Sequence, residues 1–581
     1  MTFKKLAQYL DALEKTASRI EITKILADLF KNSASSEIDK TVNLLLGQLA
    51  PAYESKVFNL AERMMLDVLA SAYQVEKGKV RELYKQEGDL GNLAARLAQA
   101  GQNSHSHPDR GGQSNLSVTK VYVRLSEIAK DEGEKSVERK IGKMAELLSL
   151  LDPLSARFVA RIPVGRLRLG FSDKTVLDAL SWMETGDKSK KVLLEKAYQV
   201  IPDVALLAKK VKEGGIDKAT ANVKPVVGVP VLPMLAQRIK SPDEMIKKMG
   251  KVYVEPKFDG LRVLIHYKKV NGKQVIKAFT RNLNNVVDMF SELEKVGRSV
   301  KASELILDTE AVGMDPELIK MANFQTTMQR RRKYNIAEKA KSVPIRFQVF
   351  DIICKDGISF MDMPYFKRRE ILKKTIVDDK LLIVDEAVVT DDPKVINREY
   401  REKIKAGLEG VMVKKYDTPY IPGRTGWRWV KMKMEEEASG KLTDTVDCVV
   451  MGYSAGRGKR VSFGLGQFLV GVVAGDEIKT VTKVGTGLTD EQFRELKKRL
   501  SGLEVKEKPK NYSVNKLQEP DFWVIPEVVV EIAADEITKS PTHSSGLALR
   551  FPRLVRFRED KSPKDATTLS EVEKLYKLQT S

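Results

Sequence analysis

From Phe3 to about Val223 apolar residues recur at spacings of three and four, as in LAQYLDALEK, VFNLAERMMLDVLASAY and IGKMAELLSLL, with few β-branched runs. That period keeps apolar side chains on one face of an α-helix, so residues 1–223 are expected to form a helical domain. Its longest polar interruption, GQNSHSHPDRGGQSNLS from Gly101 to Ser117, reads as an exposed loop. Prolines at 225, 230 and 233 in VKPVVGVPVLPML then exclude a helix and favour an extended connection. Beyond it the period changes to two. RVLIHYKK and QVIKAFT flank Asn271-Gly272, a pair suited to a two-residue hairpin turn. Strand patterns dominate to about Met434, interrupted by helical candidates PYFKRREILKKTI and NREYREKIKAG, which predicts an α+β domain over 224–436. The polar run EEEASGKLTD, Glu435 to Asp444, reads as a second linker. In 437–581, TVDCVVMGYS, GQFLVGVVAG, EIKTVTKVG and EVVVEIAADEIT fit short strands closing a barrel, with DEQFRELKKRL as one helix. The expected fold class is multidomain α and β.

Composition narrows the partners. At 581 residues the chain is long enough for about three domains. Lys plus Arg number 100 against 79 Asp plus Glu, a net charge of +21 that favours polyanions through counterion release. Nucleic acid is the first candidate and an anionic membrane surface the rival. No apolar run reaches transmembrane length, and neither end carries a basic amphipathic anchor. The opening MTFKKLAQYLDALEK lacks the apolar core of a signal peptide, so a cytoplasmic protein is expected. Cys354 and Cys448 sit in apolar strand patterns and read as packing residues, and four histidines make a His-based metal centre improbable. Chemistry is left to Lys, Arg, Asp and Glu.

No GxxxxGK[ST] occurs, so a bound nucleotide is not held on a P-loop. Instead EPKFDGLR, Glu255 to Arg262, follows the strand-like KVYV and sets Lys257 two residues before an Asp-Gly turn. A lysine attacks only as the neutral amine, so its pKa must fall from about 10.4 toward roughly 7 to 8. WVKMK, Trp429 to Lys433, supplies cations that can lower it. In a strand, Trp429, Lys431 and Lys433 point one way and Val430 and Met432 the other. Two ammonium groups facing one pocket would disfavour a third charge and would hold triphosphate oxygens as pyrophosphate leaves.

In order along the chain stand EPKFDGLR, TRN (Thr280 to Asn282), FQVFD (Phe347 to Asp351), EGVMVK (Glu409 to Lys414) and WVKMK. That series resembles the motifs of the covalent nucleotidyltransferase superfamily of DNA ligases, RNA ligases and mRNA capping enzymes. SPTHSSGLALRFPRLVRFREDK, Ser540 to Lys561, is similar to the last motif of ATP-dependent DNA ligases of the archaeal and eukaryotic replicative type. The resemblance covers nearly the whole chain. It implies a helical DNA-binding domain, a nucleotidyltransferase domain and a C-terminal OB-fold barrel. The activity it implies is nick sealing in duplex DNA during replication, repair and recombination: Lys257 takes AMP from ATP, passes it to the 5′-phosphate of the nick, and the 3′-hydroxyl displaces it.

The resemblance also implies residue roles. Glu255 would meet the adenine side through its backbone, Asp259 would orient the lysine or a metal, and Arg262 and Arg281 would contact ribose and phosphate. Phe350 would stack on adenine. Glu310, in LILDTEAV, and Glu409 would contact ribose or Mg²⁺, a cation that prefers carboxylates and keeps several waters. Two departures stand out: Thr309 replaces the glycine usual before the glutamate of that motif, and Thr425 replaces an arginine, with Arg424 beside it as a substitute. GRLRLGFSDKTVLDALS, Gly165 to Ser181, is similar to a minor-groove-contacting segment, with Arg166, Arg168 and Lys174 as phosphate contacts. Arg550, Arg553, Arg556, Arg558, Asp560 and Lys561 form an alternating basic strand and turn that would orient pyrophosphate and then grip DNA, Arg553 and Arg556 foremost. A monomer is expected. Ligases of this type bind a sliding clamp, and the loop at Gly101 to Ser117 occupies a place for it, with Gln102 but no aromatic pair.

Three alternatives remain open to the sequence. An RNA ligase or capping enzyme would share Lys257 but lack the helical domain and the long terminal motif. An NAD-dependent ligase would ordinarily add a four-cysteine zinc module that two cysteines cannot supply. A non-catalytic basic scaffold would have no need of Lys257, Glu310, Glu409, Lys431 and Lys433 together.

Overall fold

The computed structural model describes the chain except residues 104–115, 166, 168, 240, 318–320, 323, 329, 331–335, 378–379, 424–425, 434–443, 457–459, 461–462 and 581. Two compact units emerge: Met1–Met64 with Gln102–Met434, and Met65–Gly101 with Glu435–Ser581.

Helices open the first unit as the three-four spacing predicts. Phe3–Lys15, Arg19–Asn32 and Ile38–Leu45 are followed by Val118–Lys130, Ser136–Ser149, Pro153–Val159, Asp173–Thr185, Lys191–Val200 and Val204–Thr220. Several starts are fixed by side-chain acceptors that satisfy orphan N–H groups: Thr2, Ser18, Ser117, Asp152 and Asp203 all cap in this way, and Pro153 follows Asp152 where its missing N–H matters least. Arg166, Arg168 and most of the polar loop at Gly101 to Ser117 lie outside the described residues; Lys174 is exposed on the first turn of Asp173–Thr185.

The proline-bearing connection is extended as expected, with the Leu232 N–H donating to Gln199 and the Gly423 N–H to Pro233. Among the described residues of this unit eleven strands follow it: β1 Gln237–Arg238, β2 Val252–Lys257, β3 Leu261–Val270, β4 Lys273–Thr280, β5 Glu304–Gly313, β6 Ile345–Lys355, β7 Ile358–Ser359, β8 Leu382–Val384, β9 Val388–Thr390, β10 Gly410–Lys415 and β11 Trp429–Lys433. One sheet runs β1-β11-β10-β2-β9, the other β4-β3-β5-β6-β7 with β8 alongside β6. Asn271 and Gly272 turn β3 into β4 with φ of 49° and 78°, the double positive φ of the tight hairpin turn that their identities predict. Behind the first sheet Val252, Val254, Val411, Val413 and Val430 pack on Met245, Met249 and Ile396 of helices Pro242–Met249 and Pro393–Lys405. Behind the second lie Val263, Ile265, Leu305, Leu307, Phe347 and Val349. Between the sheets Leu264, Phe279 and Ile306 meet Trp429 and Met412, so each sheet turns its remaining face toward one shared cleft.

In the second unit β12 Val446–Ser454, β13 Gln467–Ala474 and β14 Glu477–Val484 form an antiparallel meander. β15 Glu504–Val505, β16 Tyr512–Ser513, β17 Phe522–Val524, β18 Val529–Ala533 and β21 Arg553–Phe557 extend the same sheet, β16 parallel to β14 and β18 pairing both β12 and β21, while β19 Glu536–Lys539 and β20 Leu547–Arg550 form a separate two-stranded sheet. Their inward residues, among them Val450, Phe468, Val481 and Ile532, share a core with Phe493 and Leu496 of helix Asp490–Leu500, whose start is a full capping box between Thr489 and Gln492. The second linker falls almost wholly outside the described residues. Among the described residues no helix is long and apolar enough to cross a membrane.

Candidate active site

Strand alternation assembles the first wall of the cleft. β10 lies between β2 and β11, and its register sets Gly410 opposite both Lys257 and Lys433, Met412 opposite Glu255 and Lys431, and Lys414 opposite Tyr253 and Trp429. With strands about 4.8 Å apart, those three rows present Lys257, Lys431 and Lys433 on one face, while Val430 and Met432 face the valine core. The alternation expected of WVKMK is therefore the one observed. Gly410 is required at the centre: its φ is +144°, and a Cβ there would run into the carbonyl oxygen of Met432. Glu409, one residue earlier, makes an ion pair with Lys257 and sits 3.5 Å from Lys433. Lys257 is thus partly enclosed, beside the WVKMK strand. Burial, then the charges of Lys257 and Lys433, push the Lys431 ammonium below the usual lysine range.

The opposite wall comes from β3 and β5, where Arg262 pairs with Glu310 in register. Arg262 is committed: Nε and Nη2 donate to the Asp308 carboxylate at 2.8 and 2.5 Å, and Nη1 donates to the Met234 carbonyl at 2.6 Å. Tyr420 donates to the same Asp308 at 2.9 Å. Burial works against the Arg262 charge, but Asp308 outweighs it and holds the guanidinium protonated. Arg262 therefore lines the cavity with all three guanidinium nitrogens already donating. Glu310, next to it, is pushed up to about 8, chiefly by desolvation, with Arg262 and Lys257 pulling the other way. Thr309 is buried in mid-strand and donates its hydroxyl to the Val263 carbonyl at 2.7 Å, so the departure from glycine is accommodated within the sheet.

A cavity of about 550 Å³ lies between these walls. Its deep side is a buried polar cluster. Glu255 receives Arg369 at 2.9 Å and Lys414 at 2.6 Å, and Tyr365 as well; all four side chains are at most 3% exposed. Lys414 also stands 4.4 to 4.8 Å from the rings of Phe350, Tyr365 and Trp429. Phe350 reaches the cavity with Trp429 edge-on at 5.9 Å. Arg281 and Asn282 line the mouth and are exposed. Asp259 is exposed on the turn after β2, where Glu409, Lys257 and Lys433 are the charges it senses. Arg424 and Thr425 lie outside the described residues. Among the described residues no three acidic, His or Cys side chains converge to hold a metal unaided; Glu310 and Glu409 could contribute two carboxylates only.

In the second unit the terminal basic motif is already paired internally. Arg553 meets Asp535 at 2.7 Å, Arg556 meets Glu531 at 2.6 Å, and Arg558 and Lys561 converge on Asp447 at 2.9 and 2.6 Å. Arg558 also pairs with Asp560 at 2.7 Å. Sequence reasoning missed Asp308, Tyr365, Arg369, Asp385 and Tyr420. Asp308 stood in view beside Glu310 in LILDTEAV; the others carry no local signal.

Comparison with known proteins adds an independent finding. Residues 2–181 match the family model for the DNA ligase N terminus, 233–433 the ATP dependent DNA ligase domain, and 462–561 the ATP dependent DNA ligase C terminal region. A "Probable DNA ligase" of Dictyoglomus turgidum is 40% identical over 590 residues, covering 100% of this chain and 98% of that protein. The DNA ligase of Saccharolobus solfataricus is 36% identical over 597 residues, again covering 100% and 98%. A solved structure described as Pmar-Lig_PreS3 shares the fold with a TM-score of 0.53 at 18% identity, over 95% of this chain and 99% of its own.

Proposed function

The chain belongs to the ATP-dependent DNA ligase family, and from that premise we propose how its own residues divide the work of sealing a nick. Lys257 is the nucleophile that takes AMP from ATP. The observation that carries this reading is the row Lys257, Gly410, Lys433 across three strands, beside a cavity large enough for a nucleotide. The amine attacks as the free base, so a proton must leave it first; Glu409, in contact with the ammonium, holds and orients Lys257. As the Nζ–Pα bond forms and the Pα–O bond to pyrophosphate breaks, negative charge grows on the leaving group. Lys431 and Lys433 are placed to neutralise it.

Phe350 and Trp429 supply the apolar walls for the base, and Asp259 positions the turn that carries Lys257. Glu310 and Glu409 would hold Mg²⁺, which would neutralise phosphate charge; the donor set fits, because two carboxylates leave the remaining ligand positions to phosphate oxygens and water, as that ion prefers. Arg281 at the mouth serves ribose or phosphate directly, whereas Arg262 serves by anchoring β3 to Asp308. Residues 1–223 form the DNA-binding domain with Lys174, Arg166 and Arg168 on the backbone, 224–436 the adenylation domain, and 437–581 an OB-fold whose Arg553 and Arg556 exchange their carboxylate partners for phosphates. The protein works as a monomer on nicked duplex DNA; a sliding clamp is a further partner of the segment at Gly101 to Ser117.

The test is incubation with α-labelled ATP, GTP or NAD and Mg²⁺ followed by a denaturing gel. Label should stay on the protein with ATP and vanish in Lys257→Ala. Nicked DNA should then be sealed and nicked RNA left open. Label retained in Lys257→Ala would overturn the assignment of the nucleophile.

A further inference from the structure

One buried acid at the nucleotide cavity is used by nothing described so far. Asp385 follows β8 with its main chain held on both sides: its N–H donates to the Val349 carbonyl at 3.2 Å, and its own carbonyl receives Arg369 Nη2 at 2.5 Å. The side chain lines the cavity, is 4% exposed, and leaves Oδ1 buried with no hydrogen-bond partner. A buried polar atom without a partner is destabilising, so the folded chain carries a deficit at this point that a ligand or water would remove. Glu255, the other carboxylate at the deep side, differs in that both its oxygens already receive donors, Arg369 and Tyr365 on Oε1 and Lys414 on Oε2.

The surroundings indicate what kind of group belongs there. Phe350, Met412 and Trp429 line the same cavity and suit a flat aromatic ring. Trp429 Nε1 is also buried without an acceptor. One unanswered acceptor and one unanswered donor at an apolar-walled cavity match a heterocycle that carries both an exocyclic amine and ring nitrogens. Burial, followed by the charge of Glu255, pushes the Asp385 carboxyl well above the usual carboxylate range. Its carbonyl oxygen remains an acceptor for an amine in that state.

We infer that Asp385 reads the base, its side-chain oxygen accepting a hydrogen bond from the exocyclic 6-amino group of ATP. This rests on the adenylylation reading above. It makes Asp385 a specificity-determining residue for the first step, separate from the lysines that handle phosphate.

The experiment compares self-labelling by ATP and by purine riboside 5′-triphosphate, which lacks the 6-amino group, both labelled at the α-phosphate. The ratio of their labelling efficiencies is taken within one preparation, so it does not depend on the folded fraction. Wild type should favour ATP by roughly 10-fold or more, the effect of one buried hydrogen bond. Asp385→Leu should bring the ratio to within about 2-fold of unity, and Asp385→Asn, whose amide oxygen accepts the same bond, should keep it. Asp385→Ala repeats the question if the leucine variant does not fold. A ratio unchanged from wild type in the Leu or Ala variant, with both nucleotides slowed alike, overturns the inference, as does a wild type that treats the two nucleotides equally. Absence of any label on wild type from either nucleotide would overturn the Lys257 reading instead.

Discussion

Replacing Glu255 with Gln tests whether the deep side of the cavity is held by one carboxylate. Three donors converge on it: Arg369 and Tyr365 on Oε1, Lys414 on Oε2. Arg369 and Lys414 are 3% and 1% exposed, so neither cation can turn to water. Gln keeps one acceptor and substitutes an NH₂ that must face either the Lys414 ammonium or the Arg369–Tyr365 pair, donor against donor. Removing one partner of a buried pair costs about 3 to 5 kcal/mol. For a folding unit of about 400 residues, the size of the compact unit that holds Glu255, each kcal/mol moves the melting temperature by roughly 1 to 2 °C, so a drop of roughly 3 to 10 °C is expected. Differential scanning calorimetry of the full chain reads this directly. The double variant Glu255→Gln, Lys414→Met removes the uncompensated cation and should recover at least about 1 kcal/mol relative to the sum of the single changes. A shift under about 3 °C for Glu255→Gln, or strict additivity in the cycle, would refute the argument that these charges form one closed cluster.

Three further outcomes follow from the same geometry. Gly410→Ala should slow self-labelling at least 10-fold on a gel time course and lower the melting temperature, because a strained φ costs roughly 1 to 3 kcal/mol before the collision with Met432 is counted. Lys431→Met should slow labelling by roughly 100-fold, the effect of removing one charge-stabilising donor, while melting stays within a few degrees. His266 is buried, accepts the Gly228 N–H at Nδ1, and is pushed down to about 3 by burial, then by Lys277. Since the unfolded chain takes up that proton below about 6.5 and the folded chain does not, stability is full above 6.5 and should fall as pH drops toward 3, by about 1.4 kcal/mol per pH unit. In His266→Asn, denaturant titrations across that window should show a shallower acid limb; an unchanged limb would assign the acid sensitivity elsewhere.

What the sequence revealed of the site is what strict local periods determine. The face shared by Lys431, Lys433 and Trp429 was readable in WVKMK because side chains of a regular strand alternate between its two faces. The Asn271-Gly272 turn was readable because few residues tolerate two positive φ values in succession. Helix Leu569–Thr580 was overlooked although its apolar residues Leu569, Val572, Leu575 and Tyr576 keep helical spacing and pack on the C-terminal core. The commitments of Arg262, by contrast, depend on Asp308, 46 residues away, and those of Glu255 on Tyr365, 110 residues away. No periodicity reports such pairings; the first arises between neighbouring strands β3 and β5, the second between β2 and helix Tyr365–Thr375. Asp385 was invisible for the same reason, since a single acid after a short strand acquires meaning only from the cavity it borders.

The charges of the first unit divide into two classes, and the division accounts for how a strongly basic cleft stays folded. Arg368 with Asp351, and Arg369 and Lys414 with Glu255, are buried sets, and the half-buried Arg262 meets the buried Asp308, so that every one of these cations meets a carboxylate. Breaking them costs stability because no solvent reaches the partner left behind. Lys257 and Lys433 instead share Glu409 at the cavity, and Lys431 has no ion pair among the described residues. Lys257, Lys431, Lys433 and Arg281 stand against Glu409, Asp259 and a Glu310 carboxyl pushed up to about 8, so on the proposed reading a triphosphate would meet a local excess of positive charge that folding leaves open. On the function proposed above, the Glu255 set lies at the deep side where the base would sit, and the open set lies where phosphate would sit. Substitutions at the first should therefore appear chiefly in melting and base preference, and substitutions at the second chiefly in the rate of adenylylation.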